Sequence, residues 1–314
     1  MSEPVVAEPL AILLTVGHDA ALRRELAGAV RAMDPAHDPA VISGRAETLE
    51  ADLDRVLATD RAGLAVVELH TADDIPPALD TVEALVEDEA AVLLGVLAIV
   101  DVRRFWEDFF TEDRGTARHL VAMIESASLV VLAGEEAEPA DDRPAVEGFV
   151  RNLNPLAAVL PLESLAGLSL PELAEAIAEA EAAGDLADRE EDDVPLAGET
   201  DAWGFNSFTW TTETLLDRGR FMALFENWPL EILRAHGVAR FADGATAVLS
   251  VVRDTVAIDE YGGDDLHDHD HDESILPEDD EDALMDGESE LAFVGQGMPV
   301  PALVAWLEAC QAEE

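Results

Sequence analysis

His267, His269 and His271 alternate with aspartates in the run His267-Asp-His-Asp-His-Asp. Imidazoles two residues apart can converge on one zinc, cobalt or nickel ion, with an aspartate oxygen as an added ligand. A dedicated single site would draw a further ligand from Asp264, Asp265 or Glu273. The competing reading is a solvated acidic loop whose histidines hold metal only weakly. A second grouping is looser. His18 and His70 each follow an apolar run that reads as a strand, with Glu68 just before His70 and His119 on a segment of helical period. If both strands lie in one parallel sheet, His18, His70 and Glu68 share its carboxyl edge, where ligands bind in such folds. Plain loop histidines are the alternative.

Other chemistries are excluded by what is missing. Cys310 is the only cysteine, which rules out a disulfide framework or a thiolate cluster within one chain. It has no adjacent base, and nothing pairs as Ser-His-Asp or Cys-His. There is no lysine; all 18 basic residues are arginine. A loop that grips the β- and γ-phosphates of a nucleotide relies on a lysine.

Sixty-nine acidic residues give a formal charge of −51. Residues 181–200 carry eight acids against Arg189, and residues 264–290 carry fourteen acids and no base. Acids dominate the remainder as well, so the charge belongs to the whole surface. Acidity without lysine predicts a halophilic protein, kept soluble in concentrated salt that screens its self-repulsion. It argues against nucleic acid as a partner, since phosphates would be repelled. With 49% hydrophobic residues a core can form. The apolar run Ala90 to Val100 is too short to span a membrane, and the Met1-Ser-Glu-Pro start lacks a basic region. These features predict a cytoplasmic protein with no membrane partner.

The elements that must position these residues change character near the middle of the chain. In the first part, apolar runs at Leu10 to Val16, Ala40 to Ser43, Leu64 to Leu69, Val96 to Val100 and Leu129 to Leu132 read as strands. Helical periods at Ala20 to Met33, Thr48 to Ala58, Arg118 to Ser126 and Pro171 to Ala183 separate or follow them. Continuous apolar strands between helices predict an α/β domain with a parallel sheet covered on both faces. Asp19, just before the first helix, reads as its N-cap. An acidic linker follows at 184–200. The second part, 201–314, reads as a small α+β domain. Trp203 to Trp210 is an aromatic strand, Arg220 to Asn227 a helix, and Val238 to Phe241, Ala247 to Val252 and Thr255 to Asp259 are antiparallel strands with a hairpin turn at Asp243-Gly244. An acidic, histidine-bearing insert fills 262–290. Glu290 to Val294 is a last strand, and Pro301 to Ala312 a closing amphipathic helix carrying Leu303, Trp306, Leu307 and Cys310.

The order of short motifs resembles the CobW family of P-loop GTPases and metallochaperones, over nearly the whole chain. Arg234-Ala-His236-Gly237 resembles that family's Arg-Xaa-Lys-Gly turn, with His in the lysine position. Leu291-Ala-Phe-Val-Gly-Gln-Gly-Met and the helix ending at Ala309-Cys310 resemble its final strand and helix, and Phe205 to Trp210 its opening strand. Asn152-Leu-Asn154-Pro155-Leu-Ala157 resembles the stretch that closes its G domain. The resemblance implies a P-loop-like domain over 1–183. Where the family carries a Gly-rich loop ending Gly-Lys-Thr-Thr, this chain has Thr15-Val-Gly17-His-Asp19-Ala-Ala-Leu22. Where the family reads guanine with Asn-Lys-Xaa-Asp, it has Ala133-Gly-Glu-Glu136, and no cysteine stands where the family's Cys-Xaa-Cys-Cys falls, within 44–63. Glu68 and Asp101 resemble the family's metal-region glutamate and its Val-Asp motif.

The expectation is therefore a degenerate nucleotide site and no GTPase activity or bound GTP. The protein would handle or deliver a divalent metal held by His267, His269 and His271, passing it to a client protein. An alternative is a structural or regulatory subunit, a dimer included, that pairs with an intact CobW-type GTPase. A third reading is an active NTPase with an unusual phosphate loop that uses Arg23 or Arg24.

Overall fold

The computed structural model describes residues 9–33, 39–43, 48–59, 63–134, 142–165, 167–189, 200–261 and 287–312. The chain divides into two compact units, Met1–Glu190 and Glu191–Glu314, with the break inside the expected acidic linker.

In the first unit β1 (Leu10–Gly17), β2 (Ala40–Ser43), β3 (Leu64–Glu68), β4 (Ala91–Asp101), β5 (Leu129–Ala133) and β6 (Ala158–Pro161) form one sheet in the order β2-β3-β1-β4-β5-β6. Every pairing is parallel. This is the P-loop-like α/β arrangement. From β1 the chain builds outward to β3 and β2 on one side and to β4, β5 and β6 on the other. The carboxyl ends of β1 and β4 therefore flank the point where strand order reverses, the usual place for a ligand crevice. The central strands are buried along almost their whole length, as strands covered on both faces must be.

The connecting helices are α1 (Ala20–Met33), α2 (Leu49–Leu57), α3 (Ile75–Glu87), α4 (Phe105–Phe109), α5 (Arg114–Glu125), α6 (Asp142–Leu153), α7 (Leu162–Leu165) and α8 (Leu170–Arg189). Helix α8 runs to Arg189, past the expected end at Ala183 and into the acidic stretch. Helix α3 escapes a periodicity search because Pro76 and Pro77 stand in its first turn, where proline is tolerated since those N–H groups have no helical partner. Strand β4 begins five residues before Val96. Gly95, at φ +142°, sits beside a register shift between β1 and β4, so a residue that looks like a breaker serves a bulge instead. Among the described residues no helix is long and apolar enough to cross a membrane.

In the second unit β7 (Phe205–Thr212), β8 (Ile232–Arg240), β9 (Thr246–Val252), β10 (Thr255–Tyr261) and β11 (Ser289–Gln296) form an antiparallel sheet ordered β10-β9-β8-β11-β7. Helices α9 (Arg218–Leu224) and α10 (Val300–Ala309) bring Phe221, Leu303 and Leu307 into one apolar cluster with Phe208, Trp210, Phe241 and Phe293. Phe208 and Phe293 stack at 4.9 Å between ring centroids. Of the four aromatics expected on the opening strand, Phe205, Phe208 and Trp210 are core, while Trp203 precedes the strand and is exposed. The hairpin at Asp243-Gly244 is present, with Gly244 at φ +88° and the Phe241 N–H donating to the Ala245 carbonyl at 2.8 Å.

Two expectations are corrected here. Arg234-Ala-His236-Gly237 lies inside β8 and not at a turn. Gly237, at φ +137°, is where β11 comes close: a Cβ there would overlap the Glu290 carbonyl oxygen. Glycine in this motif thus serves strand contact, and His236 is a strand residue. Helix α10 is not amphipathic in the expected sense. Leu303, Leu307 and Cys310 point inward, but Trp306 is 44% exposed.

Candidate functional site

The site to examine is the carboxyl edge of the parallel sheet at β1 and β4. Only His18 and Asp19 join β1 to α1. β1 and β4 pack tightly at its start: a Cβ on Gly17 would lie 2.5 Å from Ile99 Cγ2 and 3.1 Å from the Ile99 carbonyl oxygen.

Asp19 caps α1 as expected. Its Oδ1 accepts from the N–H groups of Ala21 at 2.6 Å and Leu22 at 3.0 Å. These two hydrogen bonds hold its carboxyl below the usual carboxylate range. An anion is thus already seated where a helix N-terminus would present its N–H groups to a phosphate.

Arg23, one turn into α1, is buried and folds back over the loop. Its Nη1 donates to the carbonyl oxygens of Gly17 and, at 3.3 Å, of His18. Its Nη2 lies 3.5 Å from His70 Nδ1. The loop therefore turns carbonyls toward a guanidinium, whereas a phosphate cradle turns N–H groups toward an oxyanion. Arg24 is exposed and donates to the Ala20 carbonyl of its own helix at 3.0 Å.

The neighbouring strand ends are filled in the same manner. At β4, Arg103 grips Asp101 with two parallel hydrogen bonds of 3.1 Å. At β5, where a base-reading loop was sought, Arg143 donates to the Gly134 carbonyl at 2.6 Å and to Glu163 Oε1 at 2.9 Å. Glu163 is held below its ordinary range by a backbone hydrogen bond and by Arg143. The residues Glu135 and Glu136 of that loop lie outside the described residues. A cleft lined by His18, Asp19, Ile99, Asp101, Arg104 and Asp108, among others, leaves about 20 Å³, room for about one water molecule.

The histidines meet differently from the sequence expectation. His18 approaches His119 of α5, with ring centroids 5.9 Å apart. His119 Nδ1 accepts the Ala72 N–H at 3.0 Å, just beyond β3. Burial and the neighbouring His18 push the His119 pKa down. Among the described residues no three His, Cys, Asp or Glu side chains converge to hold a metal ion, so Glu68, His18 and His70 do not assemble into one. His267, His269 and His271 lie outside the described residues.

The polar groups of this edge are turned onto one another. The α1 N–H groups belong to Asp19, the loop carbonyls face Arg23, carboxylates line the cleft, and the chain has no lysine. Sequence reasoning found Asp19 but not Arg23 as a plug or Arg143 as a bridge. It also took Asn154 for a family mark without its role. Asn154 is buried, donates to the carbonyls of Ile124, Glu125 and Ala127, and accepts from Leu156 and Ala157. It thus ties the end of α5 to the start of β6.

Residues 205–311 match the cobalamin synthesis protein cobW C-terminal domain family. The chain is similar to the crystal structure of Zn(II)-bound YjiA GTPase from E. coli, at 15% identity and a TM-score of 0.42, over 97% of this chain and 99% of that one. It is also similar to a Zn(II)-bound triple mutant of YjiA GTPase, at 14% identity and a TM-score of 0.38 over the same 97% and 99%. No curated protein matches it in sequence.

Proposed function

We propose that the chain, whose residues 205–311 match the CobW C-terminal domain family, is a CobW-type protein that handles or delivers a divalent metal without hydrolysing GTP. One observation carries the second half of that reading: the β1–α1 loop is occupied by the chain's own charges, Asp19 on the helix N–H groups and Arg23 on the carbonyls of Gly17 and His18. A phosphate would have to displace both, and no lysine exists to replace them. The metal half is supported by the alternation of His267, His269 and His271 with aspartates, a donor set suited to zinc, cobalt or nickel.

The two halves are tested separately. Calorimetric titration with GTP and magnesium is expected to give no binding heat; micromolar binding overturns the non-hydrolysing reading. Titration with zinc or cobalt is expected to show stoichiometric uptake that is lost when His267, His269 and His271 are all replaced by alanine. Unchanged affinity in that variant removes the loop as the metal holder.

A further inference from the structure

We propose that Asp243 is a site of spontaneous backbone modification, conversion to an isoaspartyl linkage through Gly244, and that Arg218 is the side chain that holds the reaction back. An Asp-Gly pair carries both reactants. The Gly244 nitrogen attacks Asp243 Cγ, a C–N bond forms, and water leaves with one carboxyl oxygen to give a five-membered succinimide. Water then adds at the Asp243 main-chain carbonyl and breaks its bond to the Gly244 nitrogen. The chain is left joined through Cγ, with a free carboxylate on the former main-chain carbon. No oxidant or reductant is consumed. A side chain on the second residue hinders this attack, and here nothing lies within 4 Å of where a Gly244 Cβ would sit.

The tip of the β8–β9 hairpin presents the pair to solvent, with the Asp243 side chain 51% exposed. The same turn keeps the reactants apart. The Gly244 N–H donates to the Phe241 carbonyl at 3.0 Å, so it faces that oxygen and not Cγ. Asp243 Oδ1 accepts the Ala245 N–H at 3.1 Å, and Oδ2 lies 2.9 Å from Arg218 Nε. The carboxylate is therefore tethered at both oxygens, and attack requires it to swing away from both partners.

Arg218 is itself held. Its Nη1 donates to Glu260 Oε2 at 2.8 Å, at the end of β10, and its guanidinium carbon stands 5.2 Å from the centroid of the Phe241 ring. The Nε contact with Asp243 is ionic, since the N–H is not aligned for a hydrogen bond. One exposed ion pair restrains little, but Glu260 and the ring keep this guanidinium in place when the Asp243 carboxylate moves. Contacts of 2.8 and 2.9 Å are also shorter than the roughly 3 Å screening length of molar salt, so they persist there. Conversion would add one carbon to the main chain of a turn closed by the Phe241 N–H and the Ala245 carbonyl at 2.8 Å. It would also take from Arg218 one of its two carboxylates.

Incubation of the full chain in molar KCl at neutral pH, with isoaspartate located by peptide mass spectrometry, tests this. Asp286-Gly287, the chain's other Asp-Gly pair, serves as the internal reference. Arg218→Gln should speed conversion at Asp243 about threefold and leave Asp286 unaffected. Val251→Ala, which thins the core behind the same sheet without touching the turn, should leave the Asp243 rate unchanged. In urea, wild type and Arg218→Gln should convert at one common, faster rate. Equal rates in the folded wild type and folded Arg218→Gln overturn the role of Arg218. Val251→Ala that accelerates conversion as much as Arg218→Gln overturns it too, because sheet stability is then the restraint. No isoaspartate at Asp243 in either folded chain, over a period in which the urea-unfolded chain converts, overturns the site itself.

Discussion

The carboxyl edge of the first unit and the outer face of α10 in the second treat charge in opposite ways. At the edge, Asp19, Arg23, Asp101, Arg103 and Arg143 turn onto the chain's own backbone or onto each other. On α10 the outward face carries a single acid. An edge that satisfies its own polar groups has little left to offer a charged ligand. A face stripped of charge in a highly acidic chain has little to repel a second protein. The difference sets an edge whose polar groups face one another against a helix face that carries almost no charge.

The largest expected effect sets the two sheets against each other through their glycines. Gly237→Ala forces a Cβ onto the Glu290 backbone at φ +137° and should cost about 3 kcal/mol or more. Gly17→Ala meets Ile99 Cγ2 first and the Ile99 carbonyl oxygen second, without the strain of a positive φ, and should cost less, about 1–3 kcal/mol. Urea unfolding followed by tryptophan emission reads mainly the second unit, which holds four of the five tryptophans. Equal costs would mean that β8 and β11 yield as easily as a side chain, and the contrast between a rigid second sheet and an adjustable edge would fail.

A smaller effect probes the edge alone. Arg23→Ala leaves the carbonyls of Gly17 and His18 without their donor and should cost about 1–3 kcal/mol. Phosphate or GTP should still fail to bind, because Asp19 and the missing lysine remain. Gain of phosphate binding would show an edge that is merely plugged and would sharpen the comparison to that one side chain.

What was legible in the sequence follows from how local each cause is. Leu10 to Val16 and Leu64 to Leu69 declare themselves because buried parallel strands are apolar at nearly every position, here all but Thr15 and Glu68. Asp19 is legible because its partners, Ala21 and Leu22, are the next residues along. Arg23 is not, because its meaning depends on His70 arriving from another strand. The strand was expected to start only at Val96, after Gly95, and Gly237 was expected in a turn, because nothing local says that a neighbouring strand needs the space. Trp306 was grouped with Leu303 and Leu307, although the inner stripe runs 303, 307 and 310 and leaves Trp306 on the outer side. For the candidate site this means that the cap on α1 was legible and the arginines folded over the strand ends were not.

The smallest effect is a pH dependence confined to the first unit. His119 holds the segment after β3 against α5 by accepting the Ala72 N–H on Nδ1, which requires that nitrogen to be unprotonated. Burial, His18 and Arg23 lower its pKa below the ordinary 6.5, while Asp73 and Asp74 oppose the shift without reversing it. The folded state therefore binds its proton less readily than the unfolded chain. Its contribution is intact above pH 6.5 and declines as the pH falls through the lowered folded value. When the ring is protonated, Nδ1 becomes a donor facing a donor, and the loss is one hydrogen bond, about 1 kcal/mol. Hydrogen exchange at the Ala72 amide should accelerate as the pH falls through that window, beyond the intrinsic change of an unstructured amide, and His119→Leu should remove the pH dependence along with the protection. Protection at Ala72 that persists unchanged well below pH 6.5 would mean that the segment after β3 is held by packing, and that the charges of this edge matter less to its stability than those of Arg23 suggest.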